Sequence, residues 1–195
     1  MEYVPPMENS AQASPEVVMF IRHGEKPSDQ GIPHGVDEHG RQNPHSLSVR
    51  GWTRAGGLAA LFSHAPTSPS SSQIVNPQRI YATQASVEAK SQREVDTAKP
   101  TADLLKLKIN DSHPHGHPHK VAEELLADPT NPLVVWHHGE IPAIVAHFSI
   151  ENINDVPATW PEDRFDIVWI LTRGSNGSYK FSVMPQMLLV DDRPV

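Results

Sequence analysis

Arg22-His23-Gly24-Glu25 follows directly on an apolar run, Val17 to Ile21, and this adjacency is where the chain first offers chemistry. A planar guanidinium grips two phosphate oxygens, while a neutral imidazole nitrogen beside it can attack phosphorus. The segment Asn131 to Ala146 repeats the design: an apolar strand, then His137-His138, then Gly139, then a helical pattern. Two strand ends carrying histidines can face one pocket, and in open α/β sheets that pocket lies outside the carboxyl ends of the strands. Adjacent strand residues point to opposite faces, so only one of His137 and His138 is expected to reach a phosphate.

The elements that must position these groups are legible from periodicity. Val17 to Ile21, rich in β-branched residues, reads as a strand buried on both faces, with Gly24 allowing a sharp turn after it. Ser48 is expected to cap a helix running to Phe62, with Trp52, Ala55, Leu58, Ala59 and Phe62 on one buried stripe. Arg79 to Thr83 reads as a strand. Ser91 to Leu105 reads as a helix capped by Ser91 and interrupted at Pro100, which places Arg93 in the first turn, where the dipole and free N–H groups favour an anion. Lys120 to Ala127 and Glu140 to Phe148 read as helices. Asp166 to Leu171 and Tyr179 to Val183 read as strands, joined by a turn whose Asn176-Gly177 is a hairpin signal. The pattern predicts an α/β fold with a mostly parallel sheet and an antiparallel hairpin near the carboxyl end.

Residues 1–14 read as a flexible lead-in and residues 15–195 as one domain. Ser28 to Ser46 is a long loop, expected to cover the site that follows the first strand, and His64 to Pro77 is a serine- and proline-rich linker. His113-Pro114-His115-Gly116-His117-Pro118-His119 alternates histidine with loop residues. Imidazole is a good metal ligand, but a tract broken by proline and glycine has no fixed geometry, so no metal is assigned to it.

Several segments together resemble a known family. Arg22-His23-Gly24-Glu25, Leu47-Ser48-Val49-Arg50-Gly51-Trp52 with Ala55, Ile80-Tyr81-Ala82-Thr83, Ser91-Gln92-Arg93 with Thr97 and Pro100, and Val135-Trp136-His137-His138-Gly139 occur in that order. They are similar to the successive motifs of the histidine phosphatase superfamily, the phosphoglycerate-mutase-like fold, over roughly Val17 to Gln186. The stretch Gln84 to Lys90 is longer than in most relatives and reads as an insertion.

The resemblance implies a three-layer α/β/α sandwich around a mixed sheet, and a phosphatase that hydrolyses a phosphomonoester or phosphoramidate. His23 would be the nucleophile that becomes phosphorylated, with Arg22, Arg93 and His138 completing the phosphate pocket. His138 is preferred over His137 because a glycine follows it. The general acid is left open among Glu123, Glu124, Glu140 and a loop histidine. Two arginines and a histidine can offset transition-state charge, so no metal or cofactor is implied. A phosphomutase and a phosphate-binding module with little turnover are the alternatives. The expected partner is a small phosphorylated substrate or a phosphoprotein.

Composition narrows the setting. The net charge of −7 argues against nucleic acid or an anionic membrane as a partner, so any phosphate must be captured by local positive charge. No cysteine is present, which excludes disulfides, a thiolate nucleophile and thiolate metal sites. No signal-like start and no run of ~18 apolar residues is seen, so a cytoplasmic protein is expected.

Overall fold

A computed structural model of the chain describes residues 14–69, 73–87 and 90–195. Apart from Ser14, the expected lead-in lies outside the described residues, as do residues 88 and 89 of the expected insertion. Among the described residues, six strands form one mixed sheet in the order β3-β2-β4-β1-β5-β6, and there are four α-helices. The strands are β1 (Val17–Arg22), β2 (Arg79–Ala82), β3 (Ile109–Asn110), β4 (Pro132–Trp136), β5 (Ile167–Arg173) and β6 (Tyr179–Pro185). The helices are α1 (Val49–Ser63), α2 (Arg93–Leu105), α3 (Pro118–Leu126) and α4 (Ile141–Val145).

β1 is buried along its whole length because its alternate residues serve two cores. Val17, Met19 and Ile21 pack with Leu58 and Phe62 of α1 and Ala98 and Ala102 of α2. Val18 and Phe20 pack with Val121 and Leu125 of α3 and Ile141, Ile144 and Val145 of α4. A one-residue register slip would exchange the two sets, and each large apolar side chain contributes about 1.5–3 kcal/mol on burial, so the register is strongly held. β1 runs parallel to β4 with Arg22 opposite Trp136, and β2 runs parallel to β4 with Ala82 opposite Val135. His23 and His137 therefore leave the sheet at the same end.

β5 pairs antiparallel with β1 and with β6. The expected hairpin turn is present, with Gly177 at φ +84°, a left-handed conformation that suits glycine. β3 has two residues, too few to carry a periodic signal in the sequence.

Ser91 does not hold the cap position of α2, which belongs to Gln92 with no side-chain cap bond, and three further local expectations are revised by packing. Ser48 does cap α1, accepting from the Gly51 N–H at 3.1 Å, but Trp52 is not core. It is half-buried and its Nε1 donates to Val36 O at 2.8 Å, so it fastens the 28–46 loop, while Arg54 occupies the buried face. Pro100 lies inside α2 without ending it. Gly24 is required less for a turn than for a close approach: a Cβ there would lie 2.9 Å from Gly51 O. This contact brings the end of β1 against the first turn of α1.

No helix among the described residues is long and apolar enough to cross a membrane.

Candidate active site

The carboxyl ends of β1 and β4 and the first turn of α2 surround a cleft of about 710 Å³. Arg22, His23, Arg93 and His138, the four residues expected at a phosphate pocket, all line it. Lys26 and Lys90 add positive charge, and Glu94 and Glu162 negative charge, so the wall is locally cationic in a chain that is anionic overall.

His23 is 4% exposed and its Nδ1 lies 2.7 Å from Gly24 O. A carbonyl only accepts, so Nδ1 carries the hydrogen and the Nε2 lone pair is free. Burial, with Arg22, Arg93 and His138 nearby, pushes the imidazole down to about 3, which keeps it neutral near pH 7. That is the form a nucleophile needs.

Arg22 is equally buried, held by Nη1 donating to Glu162 O at 2.5 Å and by the Phe165 ring, whose centroid lies 3.9 Å from its guanidinium carbon. Burial lowers it to about 10, so it stays charged. Arg93 donates through Nε to Ser46 O at 3.3 Å and through Nη2 to Pro44 O at 2.9 Å. The long loop thus positions the second arginine, but none of its residues lines the cleft; Lys26, just before it, does. Thr97 ties α2 to the His23 turn: its hydroxyl accepts from Gly24 N–H at 2.8 Å and donates to Arg93 O at 2.7 Å.

Three buried polar atoms on cleft-lining residues, Arg22 Nε, His138 Nδ1 and Glu94 Oε1, have no hydrogen-bond partner among the described residues. Orphaned groups of this kind are rare in stable proteins. Because the arrangement aims guanidinium and imidazole nitrogens at one space, Arg93→Ala is expected to weaken binding of inorganic phosphate at least about tenfold, and Arg93→Lys to restore only part of it. Isothermal titration reads both; equal affinity in the Ala variant and the parent would place Arg93 outside the anion site.

His137 and His138 both reach the cleft, their ring centroids 4.6 Å apart. Alternation holds only along a strand, and β4 ends at Trp136, so neither histidine obeys it. His138 faces His23 with ring centroids 6.3 Å apart. Burial, then Arg22, His137 and Lys26, push it down to about 4, so it is neutral before an anion arrives.

The three carboxylates considered as general acids lie elsewhere. Glu123 is exposed on α3. Glu124 accepts from Tyr81 Oη, Asn110 Nδ2 and His113 Nε2. Glu140 is beside the cleft but engaged: Gly116 N–H and Trp136 Nε1 donate to it at 2.6 and 2.9 Å. Burial would raise it, yet the bonds from His115, Trp136 and Gly116 prevail and hold it at about 2. Sequence reading missed Glu94, Glu162 and Phe165 as cleft residues. Glu94 follows Arg93 directly, so a carboxylate beside the arginine expected at the anion site was the available signal. Glu162 and Phe165 sit in irregular chain and carried none.

Among the described residues no group of three or more His, Asp or Glu side chains is gathered to hold a metal ion. The 113–119 tract is pinned to the sheet edge instead, with Gln84 bridging Pro114 and its N–H donating to His113 O at 3.0 Å.

Eight chains among the solved structures match this one. They include the crystal structure of the "putative phosphohistidine phosphatase SixA" of Agrobacterium tumefaciens, which is 14% identical and superposes with a TM-score of 0.50. The alignment covers 82% of this chain and 92% of that one. The likeness is one of fold. No family model matches the chain, and no curated protein matches it. The mixed six-stranded sheet with four helices is compatible with the SixA-like fold.

Proposed function

We propose that this protein is a phosphatase of the histidine phosphatase superfamily, a three-layer α/β/α member of the phosphoglycerate-mutase-like fold. It hydrolyses a phosphomonoester or phosphoramidate through a phosphohistidine on His23. The observation that carries the reading is His23 itself: buried, neutral, with Nδ1 fixed by Gly24 O so that Nε2 keeps its lone pair, in a cleft it shares with Arg22, Arg93 and His138. The fold likeness to a protein named as a phosphohistidine phosphatase supports it.

In the first step His23 Nε2 attacks phosphorus and the leaving group departs; in the second, water attacks the phosphohistidine and releases phosphate. Arg22 and Arg93 offset the charge spread over the phosphoryl oxygens. His138, neutral in the empty cleft, gains a proton as a phosphate dianion approaches and then donates to an oxygen. The substrate is a small phosphorylated molecule or a phosphoprotein, met in the cytoplasm.

The test is hydrolysis of p-nitrophenyl phosphate together with trapping of a base-stable, acid-labile phosphoryl label on His23. Chelator is expected to leave the rate unchanged, because fixed guanidinium groups carry the charge. Loss of activity with chelator and recovery with an added divalent ion would make His23 a ligand rather than the nucleophile.

A further inference from the structure

Leaving-group protonation is the one task of this reaction for which none of Glu123, Glu124 and Glu140 is suitably placed, and a different residue is. His115 lines the cleft with its side chain 26% exposed, its ring centroid 4.8 Å from that of His137. Its Nδ1 lies 3.5 Å from Glu140 Oε2. That carboxylate is itself fixed by Gly116 N–H and Trp136 Nε1. A histidine whose Nδ1 is paired to an anchored carboxylate presents Nε2 as a proton donor, the orienting logic of acid–base dyads. Resting on the phosphatase reading, we propose that His115 is the general acid that protonates the leaving group in the first step and that Glu140 is its positioning residue.

The steps balance. As His23 Nε2 bonds to phosphorus and the phosphorus–oxygen bond to the leaving group breaks, the His115 Nε2 proton passes to the departing oxygen, giving an alcohol and a neutral His115. In the second step water attacks phosphorus, the phosphorus–nitrogen bond breaks with its electron pair returning to His23, both water hydrogens leave with the phosphate as H2PO4−, and His115 regains its proton from solvent.

The charges facing His115 agree with this role. Glu140, behind it, and Glu94, at the start of α2, both raise its pKa, while burial opposes them. The neighbouring His137 is held down by burial and by His115, so of the two it is His115 whose surroundings favour the protonated form. Glu94 is the competing donor: it is 1% exposed, burial raises it, and its Oε2 accepts from Ser91 Oγ at 2.9 Å. That bond ties Oε2 to Ser91, just before α2, and Oε1 is buried.

The experiment compares an ester that needs leaving-group protonation with one that does not, using the full chain. His115→Asn is expected to lower kcat toward phosphoserine by about a hundredfold or more and toward p-nitrophenyl phosphate by less than about fivefold, with phosphate affinity retained. Glu140→Gln is expected to move the high-pH fall of phosphoserine hydrolysis to lower pH, because His115 then loses its proton sooner, with no such move for the nitrophenyl ester. Equal effects of His115→Asn on both esters, or none on either, would overturn the assignment alone. The same would follow if Glu94→Gln, rather than His115→Asn, produced the leaving-group-dependent loss. If the parent protein hydrolysed neither ester and His23 took no label, the phosphatase reading would fall and this assignment with it.

Discussion

His23→Ala is expected to lose at least about a thousandfold in turnover of p-nitrophenyl phosphate while remaining folded, since removal of a nucleophile leaves only the surrounding charge to act. The same variant carries a stability signature that does not depend on substrate. His23 is held near 3 in the folded chain against an ordinary value of 6.5. Between those values the unfolded chain binds a proton that the folded chain does not. Stability contributed by this site is therefore complete above about pH 6.5 and falls as pH drops toward 3, by up to ~1.4 kcal/mol per pH unit. His138, held near 4, acts in the same direction and remains in the variant.

Urea midpoints at several pH values between 7 and 4 should then decline less steeply for His23→Ala than for the parent, whatever the absolute cost of the cavity. Parallel declines would mean that His23 is not buried in its neutral form. Full turnover in the folded variant would remove it as nucleophile.

The second large effect is expected at a residue that never meets the substrate. Arg54, 2% exposed, donates to Glu25 through Nε and Nη2 at 2.8–3.1 Å, to Asp192 through Nη2 at 2.7 Å, and to Gln186 through Nη1 at 2.9 Å. Burial opposes the charge on Asp192, but Arg54 and the Leu189 and Leu188 N–H groups hold its carboxyl at about 2. Arg54→Met keeps much of the volume and leaves the Asp192 side chain buried without its cation, while Glu25 keeps only Arg50 at 3.3 Å, a loss of about 3–5 kcal/mol for a broken buried pair. That is a large share of a typical folding free energy of about 5–15 kcal/mol.

Chemical denaturation measures it, and adding Asp192→Asn to Arg54→Met should recover part of the loss by removing one stranded charge. A Met variant as stable as the parent would show that the network adds little. Activity should suffer as well, because Glu25 O accepts from both the N–H and the hydroxyl of Ser48, so the turn that carries His23 is fastened to α1 through the same residue.

What could be read in the sequence was what depends on near neighbours along the chain. β1 and β4 were visible because strands buried on both faces are continuous apolar runs, and Ser48 because a cap and its helix are adjacent. The placement of Arg22 and His23 followed from the strand they end. Those local signals, together with the resemblance to the histidine phosphatase motifs, were enough to expect four residues that the fold does gather in one cleft. Trp52 went astray because a stripe of helical spacing says which residues share a face, not whether core or loop covers it. Strand alternation was carried two residues past the end of β4, so it did not foresee that His137 and His138 would both line the cleft.

Only the tertiary structure could decide the remainder, and the reason is distance along the chain. Glu140 lies 24 residues from Gly116, Arg22 lies 140 residues from the Glu162 carbonyl that holds it, and Arg54 lies 138 residues from Asp192. Whether Glu140 is a free acid or an anchored carboxylate behind His115, and whether Glu94 is a surface charge or a buried one beside Arg22, depends on which groups folding brings within a few ångströms. A carboxylate or an imidazole has no fixed chemistry until its dielectric surroundings and its partners are set, and in this protein those partners come from opposite ends of the chain.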